Sequence, residues 1–204
     1  MKTAIVSADS LEALPQALEI LKSGGLVAFP TDTVYGVGAL AFDGRAVESI
    51  YAAKDRPVEK AIPVLIGDLA DLGRVGINIP DAAHKLAARF WPGPLTILVP
   101  KRGDLPEAVS STATVGVRVP DHEVARALLR ATGPLAVTSA NISGSQSPVT
   151  AQEVYGQLAG RIALIIDGGK TPGGVPSTLV DCTTAELRVL RDGPIALGEL
   201  LSSL

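Results

Sequence analysis

The chain has 204 residues and a formal charge of −3, with 47% hydrophobic but only 3% aromatic residues and a single cysteine. That length fits one domain over residues 1–204, with a core built from Leu, Ile, Val and Ala rather than from rings. The lone Cys182 excludes an intrachain disulfide and a multi-cysteine metal site, and the acidic balance disfavours nucleic-acid binding by bulk charge.

The N-terminal "MKTAIVSADS" lacks the apolar core of a signal peptide. No apolar run approaches the roughly 18 residues of a membrane span. A cytoplasmic protein without membrane attachment is expected. Residues 3–6 predict a first strand, and "QALEILKSGG" a helix with Pro15 in its first turn and Gly24 at its stop. "GLVAF" (25–29) reads as a buried strand that empties into the polar, glycine-bearing stretch "PTDTVYGVG". Residues 43–54 carry Val47, Ile50 and Tyr51 at helical spacing. "IPVLIG" (62–67) predicts a strand, and 80–91 a helix stopped by Pro92-Gly93-Pro94. "LTILVP" and "VGVRVP" predict strands, followed by a helix with Asp121 as its N-cap. "PLAVTSA" is a strand, and the next helix is capped by Thr150. "RIALIIDGG", "STLVDC" and "LRVLRDG" are strands, and "IALGELLSS" a closing helix. Early alternation followed by crowded strands predicts an α/β protein with a mixed sheet and helices on its faces.

Four clusters could carry chemistry. Lys54, Arg56 and Lys60 leave a helix end together; each alone suits a helix dipole or a solvated loop, but together they could converge on a polyanion. In "VGVRV" the period-2 alternation puts Gly116 and Arg118 on one face. Arg118 is then either paired structurally with an Asp or a clamp for a substrate carboxylate, with Gly116 leaving room beside it. "TSANISGSQSP" (138–148) offers short hydroxyls and an Asn after a strand end, suited to phosphate and ribose or to an ordinary polar loop. "DGGKTPGGVPSTLVD" (167–181) lacks the order of a phosphate-binding P-loop and could form a lid or a tight connection. His84 and His122 have no nucleophile or metal partner at a useful spacing. What remains is a hydroxyl- and cation-rich site that holds anions and positions reactants.

Read in order, "GGLVAFPTDTVYGVG", "AAKDRP", "FWPGPLTILVP", "VGVRVPDH", "TSANISGSQSP" and "STLVDCT…VLRDGPI" resemble the YrdC family, the L-threonylcarbamoyladenylate synthases. The resemblance spans about Gly24 to Ile195. It implies a twisted mixed sheet flanked by helices around a wide cationic cavity. It also implies synthesis of L-threonylcarbamoyladenylate and pyrophosphate from L-threonine, bicarbonate or CO2, and ATP. Mg2+ would accompany ATP, with no metal site of the protein's own. The product would pass to a tRNA threonylcarbamoyl transferase complex, with direct RNA binding weak or absent. By the same resemblance Lys54 and Arg56 are the catalytic cations. Thr33, Arg118 and Ser177 would hold threonine, and Arg56, Lys60, Thr114, Ser139, Asn141, Ser147 and Arg191 the nucleotide. The segment 168–176 is the candidate lid.

Two departures stand out. Some relatives carry Asn at the position of Lys60 and His at that of Leu65, and Leu65 offers no side-chain hydrogen bond. Longer relatives continue past the position of Leu204, so the short form is expected. The competing reading is an RNA-binding module of the same fold without adenylate synthesis. The acid balance and the scarcity of aromatic residues for stacking weigh against it.

Overall fold

The computed structural model describes residues 2–184 and 186–204. Ten strands join in one sheet in the order β1-β8-β2-β3-β7-β4-β6-β5-β9-β10. They are β1 (Ala4–Ser7), β2 (Val27–Phe29), β3 (Gly36–Leu40), β4 (Val64–Leu65), β5 (Leu95–Pro100), β6 (Thr114–Arg118), β7 (Leu135–Ser139), β8 (Leu164–Asp167), β9 (Thr178–Asp181) and β10 (Arg188–Arg191). The sheet is mixed: β1 and β2 run parallel to β8, β4 to β6, and β5 to β9, while the remaining neighbours are antiparallel.

The helices are α1 (Ala13–Lys22), α2 (Gly44–Lys54), α3 (Asp81–Phe90), α4 (Glu123–Thr132), α5 (Ala151–Leu158) and α6 (Leu197–Leu201). Alternation along the strands sorts their side chains between two cores. Ala28, Val37, Ala136, Val64, Val117, Ile97 and Val180 point into the larger core, which buries the inner faces of α2, α3 and α5. Val27, Phe29, Val137 and Leu65 point to the opposite face, where α1 and α4 supply Leu21, Leu128 and Leu129. Helices cover that second face only over the β1–β4 side of the sheet. The β6-β5-β9-β10 side of it is left without a helical layer, and this asymmetry makes the cleft described below.

Caps follow the local chemistry. Asp43 and Thr150 accept from Ala46 N and Glu153 N, at 3.1 and 3.2 Å, so both helices start where a short oxygen can serve an orphan N–H. Four expectations are corrected. Asp121 is not a cap: His122 occupies the N-cap position of α4, and no side chain bonds there. The strand at 62–67 shortens to Val64–Leu65 between Pro63 and Gly67. A 3-10 turn at Leu69–Arg74 was not expected. Finally, "GVGAL" is strand β3 rather than a polar exit. Its glycines hide the strand from propensity, yet the sheet needs them: a Cβ on Gly36 would stand 2.7 Å from Val137 Cγ1.

Candidate active site

The cleft opens beside the uncovered β6-β5-β9-β10 side of the sheet and reaches back to residues of β3, β7 and β4. Its volume is ≈ 340 Å³, within the roughly 300–1,000 Å³ of small-molecule sites. One wall is the loop between β2 and β3. There Thr31 Oγ1 accepts from Thr33 N and Val34 N at 3.2 and 3.3 Å and donates to Val34 O at 2.6 Å. This side-chain turn replaces a backbone turn and fixes Thr33 with its hydroxyl against Arg118. The loop's far side is anchored by Tyr35, whose hydroxyl donates to Gly169 O at 2.7 Å and accepts from Gly168 N at 3.2 Å. Burial pushes that phenol up to about 12.

Arg118 reaches the cleft from β6. Its Nε donates to Gly93 O at 3.0 Å, Nη1 to Thr33 Oγ1 at 3.2 Å, and Nη2 to the Asp32 carboxylate. Both ions are nearly buried, with side-chain exposures of 7% and 13%. Burial lowers the guanidinium's pKa and Asp32 opposes that shift. The structural pairing weighed for Arg118 is thus present, and a substrate carboxylate would meet an arginine already oriented. A Cβ on Gly116 would lie 3.1 Å from Thr96 Cγ2 and 3.8 Å from Leu179 Cδ1, both cleft-lining, so the absent side chain does leave space on this floor.

The other cations divide. Arg56 lines the cleft, its Nη2 held by Ala61 O at 3.0 Å and its Nε by Lys60 O at 3.3 Å. Arg191 lines it from β10, with Nε on Ser177 O at 3.0 Å and Nη2 on Ser177 Oγ at 2.9 Å. Burial lowers both guanidinium pKa values, and Arg118 adds to the effect on Arg191. Lys54 behaves differently. It is 1% exposed and absent from the lining, and its ammonium donates to the carbonyls of Ser139 and Asn141. Burial, with Arg56 second, pushes it down to about 7. Lys54 therefore braces the 139–143 loop from behind rather than facing the cleft. The Lys60 side chain is exposed outside the lining, and Thr114 hydrogen-bonds Thr112 Oγ1 at 3.1 Å, also outside it.

Ser139 and Ser147 line the cleft from the polar loop. Asn141 stands behind them, its Nδ2 held by Ile142 O and Ser145 O at 2.8 and 2.9 Å and its Oδ1 buried without a partner. Ser177 is buried and shares a 2.7 Å hydrogen bond with Thr96 Oγ1. Thr96 escaped the reading of the sequence. A lone hydroxyl residue on the Gly116–Arg118 side of the apolar run "LTILVP" was the available signal. Asp32, the acid paired with Arg118, escaped it as well. Leu65 forms an apolar part of the wall. Among the described residues no group of three or more His, Cys, Asp or Glu is placed to hold a metal ion, and no helix is long and apolar enough to cross a membrane.

The Sua5/YciO/YrdC family model, described as telomere recombination, matches residues 19–193. The threonylcarbamoyl-AMP synthase of Pyrococcus abyssi is 44% identical over 186 residues, covering 90% of this chain and 55% of that protein. The threonylcarbamoyl-AMP synthase of Bacillus subtilis is 44% identical over 190 residues, covering 92% of this chain and 55% of that protein. The chain thus spans about half the length of these curated relatives. The crystal structure of P. abyssi Sua5 complexed with L-threonine superposes with a TM-score of 0.93 at 40% identity, over 100% of this chain and 61% of that one.

Proposed function

We propose, starting from the fact that the chain belongs to the Sua5/YciO/YrdC family, that it makes L-threonylcarbamoyladenylate and pyrophosphate from L-threonine, bicarbonate or CO2, and ATP. Residues 1–204 are read as one catalytic domain, because the strands of a single sheet and the loops that join them line the cleft. The observation that carries the proposal is the meeting of two anion-binding ends in one cleft: Arg118 with Thr33, and Arg56 with Ser139 and Ser147. The names of the two synthases and the threonine-bound relative support assigning the first end to the amino acid.

In this reading Arg118 takes the threonine carboxylate on its remaining N–H groups, with Thr33 and Ser177 nearby. The amine gives up a proton and joins bicarbonate with loss of water, which yields a carbamate. A carbamate oxygen then attacks the α-phosphorus and pyrophosphate leaves. Arg56 and Arg191 offset charge moving onto the departing pyrophosphate. Lys54 acts through the main chain of Ser139 and Asn141, holding the nucleotide loop in place. Lys60, exposed beside the cleft cations, meets the distal phosphates, and Thr114 contacts the nucleotide from the start of β6. No covalent enzyme intermediate is required. Orientation alone is worth about 7–11 kcal/mol of barrier when the geometry is right. Mg2+ would arrive with ATP and offset phosphate charge there; Asp32 is committed to Arg118 and is no free ligand for it. The labile product then passes to a tRNA threonylcarbamoyl transferase complex in the cytoplasm, without direct RNA binding by this chain.

The test is detection of the adenylate by mass after incubation with MgATP, bicarbonate and L-threonine. The expected product carries both 13C from labelled bicarbonate and the threonine side chain. Its absence from an otherwise folded, ATP-binding protein would overturn the proposal.

A further inference from the structure

Register across the sheet sets four cleft residues in one row. β5 and β6 run antiparallel with Ile97 opposite Val117, so the next pair outward puts Thr96 beside Arg118. β9 pairs Leu179 with Thr96 on one side and with Arg191 on the other. Paired residues on neighbouring strands share a face of the sheet, and all four line the cleft. The two arginines therefore stand at the ends of the row, with Thr96 between them. Ser177, just before β9, joins the row through the 2.7 Å hydrogen bond between its hydroxyl and Thr96 Oγ1.

The pair carries two hydroxyl protons. A guanidinium only donates, so Ser177 Oγ accepts from Arg191 Nη2 at 2.9 Å. Among the described residues, neither hydroxyl has a further hydrogen-bond partner. Their mutual bond uses one proton, and the other has no acceptor in the protein. Thr96 is 1% exposed and Ser177 4%, so the spare proton falls to Ser177, the hydroxyl that meets the cleft more openly. Thr96 then donates to Ser177. With Arg191 and Thr96 filling both lone pairs, Ser177 can act toward the cleft only as a donor. The bond from the guanidinium also polarises it in that direction. Such a hydroxyl suits an anionic oxygen and has nothing to offer an ammonium group.

We propose that Thr96 is a positioning residue that, by donating to Ser177, turns the Ser177 hydroxyl into a fixed donor for the carbamate formed on the amino-acid substrate. The inference rests on the reading above, in which Arg118 holds the carboxylate and Arg191 faces the phosphates. The group that lies between that carboxylate and the attacked phosphorus is the carbamate, and the hydroxyl pair lies between the two arginines. Before bicarbonate reacts, the same position of the substrate is an ammonium, which this pair does not favour. Thr96 therefore acts on the carbamate step and not on the capture of threonine.

The experiment compares two readouts on the intact protein: calorimetric threonine affinity without bicarbonate, and pyrophosphate release with bicarbonate varied at saturating MgATP and L-threonine. Thr96→Val keeps the shape and removes the donor. It should lower kcat/KM for bicarbonate about tenfold and leave threonine affinity within about twofold. Thr96→Ser restores the donor and should behave as wild type. Ser177→Ala should lower kcat/KM for bicarbonate at least as far as Thr96→Val, and the double variant no further than Ser177→Ala, because Thr96 acts through that hydroxyl. ATP affinity and circular dichroism establish folding; should Thr96→Val not fold, Thr96→Ala takes its place with the same expected split. A Thr96→Val that keeps wild-type bicarbonate dependence would overturn this inference alone. So would a tenfold loss of threonine affinity in that variant, a Thr96→Ser that shares the defect, or a double variant worse than Ser177→Ala. Wild type whose pyrophosphate release ignores bicarbonate would overturn the proposed reaction, and this inference with it.

Discussion

The ammonium group of Lys54, at the last residue of α2, donates to the main-chain carbonyl of Asn141, 87 positions away. The return bond runs from Ser143 N to Lys54 O at 2.8 Å. Helix end and loop are thus tied in both directions, and the loop places Ser139 and Ser147 in the cleft. Lys54→Met keeps the stem and removes the donor, leaving two carbonyls without their charged partner. That costs about 1.5–3 kcal/mol per charged hydrogen bond as an order of magnitude. The variant is expected to weaken ATP binding by an order of magnitude or more while leaving threonine binding in place, as read by separate titrations with each ligand.

The same lysine imprints pH on stability. Burial lowers its folded value to about 7, against about 10.4 in an unfolded chain. Between those values the unfolded state binds the extra proton, so the Lys54 contribution to stability rises with pH across the window. Denaturant unfolding at pH 7 and pH 9.5 should show a larger gain for wild type than for Lys54→Met. An equal gain would mean that the lysine stays protonated throughout.

Arg118 spends three different N–H groups on Gly93, Thr33 and Asp32. A lysine can reach one of these partners but not all, and would leave Asp32 buried and poorly paired. Arg118→Lys is therefore expected to raise the threonine KM by more than tenfold with a far smaller change in the ATP KM, and to lower Tm. Comparable rises in both constants would contradict the division of the cleft into two ends.

Tyr35 holds the root of the 168–176 segment through Gly168 N and Gly169 O, and Gly173 N donates to Thr33 O at 2.8 Å. These bonds connect the candidate lid to the loop that carries Thr33. Tyr35→Phe should accelerate proteolysis within 168–176 in the free protein. Threonine with ATP should protect wild type more than the variant. Cleavage at one rate in both proteins, with or without substrates, would remove the segment from the mechanism.

Gly193 is where a side chain has no room: a Cβ there would stand 2.2 Å from Thr178 N and 2.7 Å from Pro176 O. Those atoms are backbone and cannot swing aside. Gly193→Ala must separate the turn after β10 from the start of β9 and pull Arg191 from Ser177. Loss of several kcal/mol of stability is expected (an order-of-magnitude figure for such clashes), together with weakened nucleotide binding, read by thermal melts and ATP titration.

The sequence made the mixed-sheet α/β design with helices on its faces legible, because apolar runs and helical spacing survive in almost every element. β3 was lost because Gly36 and Gly38 answer to packing against Val137, a contact that no local pattern displays. Six ordered segments made the family legible, and the matches over residues 19–193 agree with it. The cleft was partly legible. Alternation in "VGVRV" correctly gave Gly116 and Arg118 one face, but the partner of Arg118 lay 86 residues away. Lys54 read as a cleft cation because spacing groups it with Arg56, whereas the helix end turns its side chain inward to the 139–141 carbonyls. Thr96 meets Ser177 only because the sheet order sets β5 beside β9.

The measurement that bears most directly on the account is pyrophosphate release by the purified protein with MgATP and L-threonine, with bicarbonate supplied or rigorously removed. The account predicts release that requires both threonine and bicarbonate and that fails in Arg118→Ala. Release at an undiminished rate without bicarbonate, or without threonine, would contradict carbamate attack on the α-phosphorus.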